Sequence, residues 1–439
     1  MVRSAGSWVQ VRLLSADRLE TIRMPEPVDI KSFYEAHPYP PFQDDMDLHA
    51  SGTRRVVGSP VDWFHVYFPR RAFTEHLDIL IAGCGMLQTG LLGLSARRAK
   101  FTAIDVSSVA VEAARETCRQ YSMENVDVRE LPIEQVADMG KDFDLIYCTG
   151  VLHHLESPLA GLRALRSVLR PEGAMNIMVY GRYGRFGLEM MQEMLRRAGV
   201  SANGEGIEKT RRWLNALPEG HPARDAVEGF RDLSDDAGIA DLLLNPRERS
   251  YTAPEIYDWL DQADLRLQRF FYGSRYRPCC TTLRDKALLA QAERLPLPEQ
   301  HAVAEMIRCS LRKHQFVACR RDRPVESTQI DFSGDRWLDY IPVLNPGVRV
   351  SDTQPEGVAA ELHWPTYEAQ DARVRLDDGS YRLYKAVDGR RSVKAIIDSV
   401  RHGQSFDRWS AKAKQLLGSL SDLDFILLRT SEAHPLNSA

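Results

Sequence analysis

The stretch Asp78-Ile79-Leu80-Ile81-Ala82-Gly83-Cys84-Gly85 decides the fold. Its uninterrupted apolar run reads as a strand covered on both faces, the pattern of a parallel sheet. The two glycines that follow permit left-handed backbone and let a ligand approach the chain closely. In an open α/β sheet, ligands bind at the carboxyl ends of the strands, and the next helix offers unpaired N–H groups with a positive partial charge there.

Outward from this turn, strands and helices alternate. A helix is expected from Thr89 to Arg98, a strand from Phe101 to Ile104, and a helix from Ser108 to Tyr121 with Ala110, Ala114, Cys118 and Tyr121 at helical spacing. Val126 to Val128, Leu145 to Cys148 and Met175 to Val179 are further strand candidates, and Ser157 caps a helix from Pro158 to Leu169. Such alternation predicts a doubly wound, mostly parallel sheet. It stops after Tyr180, where helical segments at Leu188 to Leu195, Ile207 to Leu217 and Ala237 to Leu244 suggest an insertion over the sheet's edge. The pattern resumes with a capping box at Thr252 and Glu255, a strand at Leu265 to Phe271, a helix from Pro298 to Leu311 and a last strand at Gln315 to Arg320.

Three units are expected: an arm and lid over residues 1–75, a sheet domain over 76–323 with its helical insertion at 181–250, and a small α+β module over 324–439. The arm is stiffened by Pro25, Pro27, Pro38, Pro40 and Pro41, with a short helix around Asp29 to Glu35. In the last module, Ser392 caps one helix, Phe406 to Leu420 stripe another, and a strand follows at Phe425 to Leu428, an order that suggests a winged-helix-like unit.

Asp105 ends the second strand, where an acidic side chain can accept both hydroxyls of a ribose. A dinucleotide site would want a third glycine at position 88, which is Gln88, so that reading is weakened. The set of features instead resembles the class I S-adenosylmethionine-dependent methyltransferase family. Asp78 to Gly85 is similar to its first motif, Ala103-Ile104-Asp105-Val106 to its ribose-binding strand end, Phe143 to Leu155 to its fourth strand and loop, and Leu169-Arg170-Pro171-Glu172-Gly173 to its turn before the fifth strand. The arm run Tyr34 to Pro40 and the run from Asp241 to Pro246 resemble one branch of the family.

The resemblance implies a Rossmann-like methyltransferase fold, S-adenosylmethionine as cofactor, and direct displacement of its methyl group by an acceptor. It implies that Gly83, Cys84 and Gly85 pack against the methionyl part, that Asp105 holds the ribose, that Val106, Leu131 and Pro132 flank adenine, and that Cys148, Thr149 and Gly150 lie beneath the sulfonium. No general base is assigned. Ile81, Leu87 and Pro132 stand where the family usually has an acidic residue, a glycine and an acidic residue. They motivate an alternative, a non-catalytic binding protein on a degraded methyltransferase fold. The acceptor is expected to be a small molecule or a peptide; for the latter, Tyr381 to Val393 weakly resembles winged-helix units that bind leader peptides.

Tyr34 and Tyr39 either close over the cofactor or staple the arm, and Tyr180, Arg182, Tyr183 and Arg185, which follow the fifth strand where this fold commonly builds its acceptor pocket, either face the substrate or form a solvated loop. His153 and His154 are expected to be structural, and Cys84 to be packing.

Composition excludes several classes. In 439 residues, 57 Lys and Arg against 61 Asp and Glu leave a charge of -4, which argues against nucleic acid or anionic lipid as partner. The uncharged run from Ile79 to Ala96 carries Gly83, Gly85, Gly90 and Gly93 and reads as strand, turn and helix rather than a membrane span. Seven cysteines form no disulfide or metal framework, the adjacent Cys279 and Cys280 are expected to be plain thiols, and no apolar run marks a signal peptide, so a cytoplasmic protein without a metal is expected.

Overall fold

The computed structural model describes residues 29–40, 46–54, 56–228, 230–345, 347–351, 355–364 and 373–430. Pro25, Pro27 and Pro41 of the arm lie outside the described residues. The central sheet contains β1 (Asp78–Ala82), β2 (Lys100–Asp105), β3 (Val126–Glu130), β4 (Phe143–Thr149), β5 (Leu169–Gly181), β6 (Ser250–Tyr251), β7 (Leu265–Phe270) and β8 (Lys313–Arg320). Its order is β3-β2-β1-β4-β5-β8-β7, with β6 beside the end of β5. β1 to β5 run parallel, while β8 is antiparallel to both β5 and β7. The strands wind outward from β1 through β2 to β3 and then resume at β4 on the other side of β1, and this switch in strand order opens a crevice at the carboxyl ends of β1 and β4.

The central strands are apolar because both faces are covered. Ile79, Leu80, Ile81 and Ala82 are fully buried, as are Leu145, Ile146 and Cys148. One correction concerns Leu169 to Gly173, expected as a turn. Leu169 already pairs with Phe143, and after a register shift Leu145 pairs with Ala174, so the run is a bulge inside β5. A Cβ at Gly173 would stand 2.6 Å from Leu169 Cδ1 and 2.9 Å from the Arg170 carbonyl, which is why glycine occupies the bend.

The amino ends of the strands are tied by charge. Asp144 accepts from Arg71 Nη1 at 2.8 Å, Arg170 Nη1 at 2.5 Å and the Asp78 amide at 3.0 Å, and Arg170 Nη2 reaches Asp78 at 2.8 Å. This staple lies at the edge of the sheet away from the crevice.

The insertion is made of helices Phe186–Arg197, Gly204–Ala216, Pro222–Val227 and Asp236–Leu244, the third of which the sequence pattern did not announce. The arm's helix, Ile30–Ala36, is capped by Asp29 and buries Phe33 against Ile207, Ile239 and Ala240 of the insertion. Arm and insertion therefore form one roof.

The C-terminal residues carry β9 (Ile341–Leu344), β10 (Arg349–Val350), β11 (Ala360–His363), β12 (Arg373–Leu376), the helices Asp378–Lys385, Val393–Val400 and Phe406–Asp422, and β13 (Ile426–Arg429). β10-β11-β12 is an antiparallel sheet, and β13 pairs with β9. One apolar cluster runs from Ile79 and Ile81 through Trp63, Phe64 and Tyr67 to Trp337, Ile397, Leu417 and Phe425. Buried Asp424 adds a polar joint, accepting from the Tyr272 amide at 2.7 Å and from Arg269. Among the described residues no helix is long and apolar enough to cross a membrane.

Candidate active site

At the carboxyl end of β1 the chain turns through Gly83 (φ +75°) and Gly85 (φ +51°), left-handed values that disfavour other residues. A Cβ at Gly83 would lie 2.3 Å from Val151 Cγ2, so the turn fits only because that carbon is missing. The Gly85 amide donates to Asp105 Oδ2 and the Ser107 amide to Asp105 Oδ1, both at 2.9 Å. Each carboxylate oxygen keeps lone-pair capacity for one more donor. Burial raises the Asp105 pKa, and the amides of Ser107, Gly85 and Val106 oppose that rise.

The turn opens into a cavity of about 820 Å³. This lies in the upper part of the roughly 300–1,000 Å³ range of ligand pockets and leaves room for two ligands side by side. One half is walled by Gly83, Gly85, Asp105, Val106, Leu131 and Thr149. Gln88 Nε2 donates to the Thr149 hydroxyl across this half, and Gly150 turns away at φ +81° with its amide on the Met178 carbonyl at 3.1 Å.

The other half lies under the roof. Tyr34 Oη donates to Asp241 Oδ1 at 2.9 Å, and Tyr39 Oη to Asp232 Oδ1 at 2.7 Å. Asn245 Nδ2 approaches Tyr34 Oη at 3.2 Å and Asp241 Oδ1 at 3.3 Å. Burial raises the Asp241 pKa, with nearby His154 and the hydrogen bonds of Tyr34 and Asn245 working against it. Tyr180 lies in the wall with the Arg185 guanidinium stacked 3.7 Å over its ring. Arg185 is held by a buried ion pair with Glu248 at 2.5 Å, and Glu248 also accepts from Gln192 at 2.9 Å. Arg312 reaches the wall over the Phe230 ring, 4.3 Å from its centroid.

Of the residues singled out in sequence, Gly83, Cys84, Gly85, Asp105, Val106, Leu131, Thr149 and Gly150 lie on the cavity, as do Tyr34, Tyr39 and Tyr180. Pro132, Cys148, Arg182 and Tyr183 are not among the lining residues. Cys148 is fully buried within β4, one residue short of the edge. Pro132 caps a short 3₁₀ helix, leaving its neighbours Leu131 and Ile133 to reach the cavity. Arg182 turns outward to Glu255 at 2.8 Å and the Ser250 carbonyl at 3.2 Å. Tyr183 starts the next 3₁₀ turn beyond the rim. Ile81 points into the core and Leu87 lines the cavity.

The two histidines part company. His153 is buried against Tyr180, ring centroids 4.0 Å apart, whereas His154 reaches the cavity. His154 Nδ1 stands 2.8 Å from the Arg247 carbonyl, which can only accept, so Nδ1 carries the proton and Nε2 the lone pair when the ring is neutral. Sequence reasoning missed His154, Asp232 and Asp241 as wall residues; the signal available was the Asp241 and Asn245 pair, one helical turn apart.

Residues 80–175 match the family model of a methyltransferase domain. The chain is 29% identical to an uncharacterized protein of Synechococcus sp., over 73% of this chain and 78% of that one. It is 35% identical to the ubiquinone biosynthesis O-methyltransferase of Xanthomonas campestris pv. campestris over 26% of this chain, and the match spans 48% of that relative's length. The fold is similar to that of PKMT2 from Rickettsia typhi, at TM-scores of 0.64 alone and 0.63 in complex with AdoHcy, 15% identity, and coverage of 90% of this chain and 78% of that one. Asp105 with open acceptor capacity, and a turn that tolerates no Cβ at Gly83, fit the ribose and methionyl parts of the cofactor. The domain match, the relatives and the fold agree that residues 80–175 carry a methyltransferase domain similar to those of the class I S-adenosylmethionine-dependent enzymes.

Proposed function

We propose that this methyltransferase transfers the methyl group to an amine nitrogen presented in the half of the cavity under the roof. The observation that supports this reading is the wall of Tyr34, Tyr39 and Tyr180 with two carboxylates, Asp232 and Asp241, bonded to the first two of them. The two carboxylates favour a cation beside them; of the guanidinium groups in the same wall, Arg185 over Tyr180 is already paired with Glu248, and Arg312 lies over Phe230. S-adenosylmethionine supplies an electrophilic sulfonium methyl. The acceptor nitrogen must be neutral to attack and becomes positive as the bond forms, so carboxylates beside it stabilise the transition state more than the ground state. His154 Nε2 is the group suited to take the proton from an incoming ammonium. Gly83, Gly85 and Asp105 act by positioning the cofactor against the roofed half.

The O-methyltransferase relative covers 26% of this chain, too little to carry an acceptor from one protein to the other. The test is methylation of matched panels of primary amines, lysine-containing peptides and phenols by the full chain with labelled cofactor. N-methylation is expected, and Asp241→Asn should lower kcat/KM for the amine while leaving S-adenosylhomocysteine affinity within twofold. O-methylation of phenols with no N-methylated product would overturn the reading.

A further inference from the structure

Away from the cavity, Cys279 and Cys280 lie on the 3₁₀ turn Pro278–Cys280, which follows β7. Their sulfurs are 3.9 Å apart, on the same side of the turn rather than splayed. Cys279 is exposed and Cys280 half-buried. Arg308 Nη2 is anchored on the Cys280 carbonyl, which brings a guanidinium to the pair, and neighbouring Arg277 is fixed by Asp422 at 3.0 Å. Glu293 faces Cys279. A partly exposed thiol between fixed cations is the environment in which thiolate, the reactive form, is favoured. The hydrogen bond from Cys279, with Arg308 and Arg277, brings the Cys280 thiol down to about 7, while burial opposes it; Cys279 moves the opposite way, bonded to Cys280 and facing Glu293.

We propose that Cys279 and Cys280 form a peroxide-sensitive thiol pair, in which Cys280 is the attacking thiolate and Cys279 resolves the product. The chemistry needs hydrogen peroxide as two-electron oxidant. Cys280 thiolate attacks one peroxide oxygen, the O–O bond breaks, hydroxide leaves, and Cys280 becomes a sulfenic acid. Cys279 sulfur then attacks the Cys280 sulfur, an S–S bond forms, and the sulfenic oxygen leaves with the Cys279 proton as water. Adjacent Cα atoms are about 3.8 Å apart across a trans peptide, closer than the roughly 4.4–6.8 Å of an unstrained disulfide. The bridge is therefore one that reductants reopen readily, the property of a regulatory rather than a structural disulfide.

The experiment is peptide mass mapping of the full chain after brief hydrogen peroxide, before and after dithiothreitol. The expected result is loss of two hydrogens from the peptide holding both cysteines, reversed by reductant. Cys279→Ser should stop at a sulfenic acid trapped by dimedone, and Cys280→Ser should slow oxidation of this peptide at least tenfold. A wild-type peptide that is unchanged, or that passes directly to sulfinic acid, overturns the proposal. So does a Cys280→Ser chain oxidised there at the wild-type rate. Neither residue lines the cavity, so both variants retain a folded control in S-adenosylhomocysteine binding.

Discussion

The Tyr34 hydroxyl donates to the Asp241 carboxylate at 2.9 Å across 207 positions of sequence, joining the arm to the helical insertion over the cavity. Asp241 is 3% exposed, so a bond to its charge has few water competitors. The same carboxylate therefore closes the roof and borders the acceptor half.

Tyr34→Phe removes that donor and leaves Asp241 with Asn245 as its remaining side-chain hydrogen-bond donor. Losing a hydrogen bond to a charged group costs about 1.5–3 kcal/mol. The cost falls on the closed arm, because Phe33 still packs beneath it. Amide exchange over residues 30–36 should accelerate at least tenfold, and kcat/KM for the acceptor should fall more than cofactor affinity does.

Asp105 can bind ribose hydroxyls with full strength only as a carboxylate. Burial raises its pKa, so it takes up a proton at higher pH than an exposed aspartate, and cofactor affinity should weaken as pH falls through that raised value. Calorimetric titration with S-adenosylhomocysteine from neutral pH downward measures this. Asp105→Asn should bind about tenfold or more weakly at neutral pH and lose the acid-side dependence, since the charged hydrogen bonds are worth about 1.5–3 kcal/mol.

Gly83→Ala faces two penalties. A left-handed backbone costs an L-residue roughly 1–2 kcal/mol, and the new Cβ would sit 2.3 Å from Val151 Cγ2. Loss of S-adenosylhomocysteine binding is expected. Adding Val151→Ala removes both methyl clashes and leaves a tight 3.1 Å contact with the residue's Cβ and the backbone cost, so the double variant should regain binding only in part, to within about tenfold to thirtyfold of wild type.

How far the sequence reached follows from the range of its interactions. The glycine turn and Asp105 were legible because 22 residues of strand, helix and strand bring them together by local geometry. The roof was not. Asp232 and Asp241 meet Tyr39 and Tyr34 through helices whose docking is set by Phe33 among Ile207, Ile239 and Ala240, contacts that leave no periodic trace. His154 was undervalued because His153 beside it is indeed core; a 3₁₀ turn sends neighbouring side chains in different directions, and only coordinates separate them. Leu169 to Gly173 was expected as a turn because the run resembles a family motif, and its proline and glycine are residues that a bulge equally accommodates.

Asp144 provides a contrast to the cavity residues. It stands in a run that resembles the family's fourth strand, yet its partners Arg71, Arg170 and the Asp78 amide all lie at the amino edge of the sheet. Asp144→Ala would remove one acceptor from the Arg71 and Arg170 guanidinium groups and from the Asp78 amide, while Arg170 keeps its bond to the Asp78 carboxylate. Arg71 and Arg170 remain partly exposed and regain water, so the expected loss is about 2–3 kcal/mol rather than the larger cost of a fully enclosed pair. The midpoint of urea unfolding should fall accordingly. S-adenosylhomocysteine affinity, measured well below that midpoint, should stay within twofold, because β4 reaches the cavity at its opposite end, through Thr149 and the Gly150 that follows it. A large affinity loss in the folded variant would mean that the two edges of the sheet are coupled, and that the amino-edge staple belongs to the cofactor site rather than to the framework that carries it.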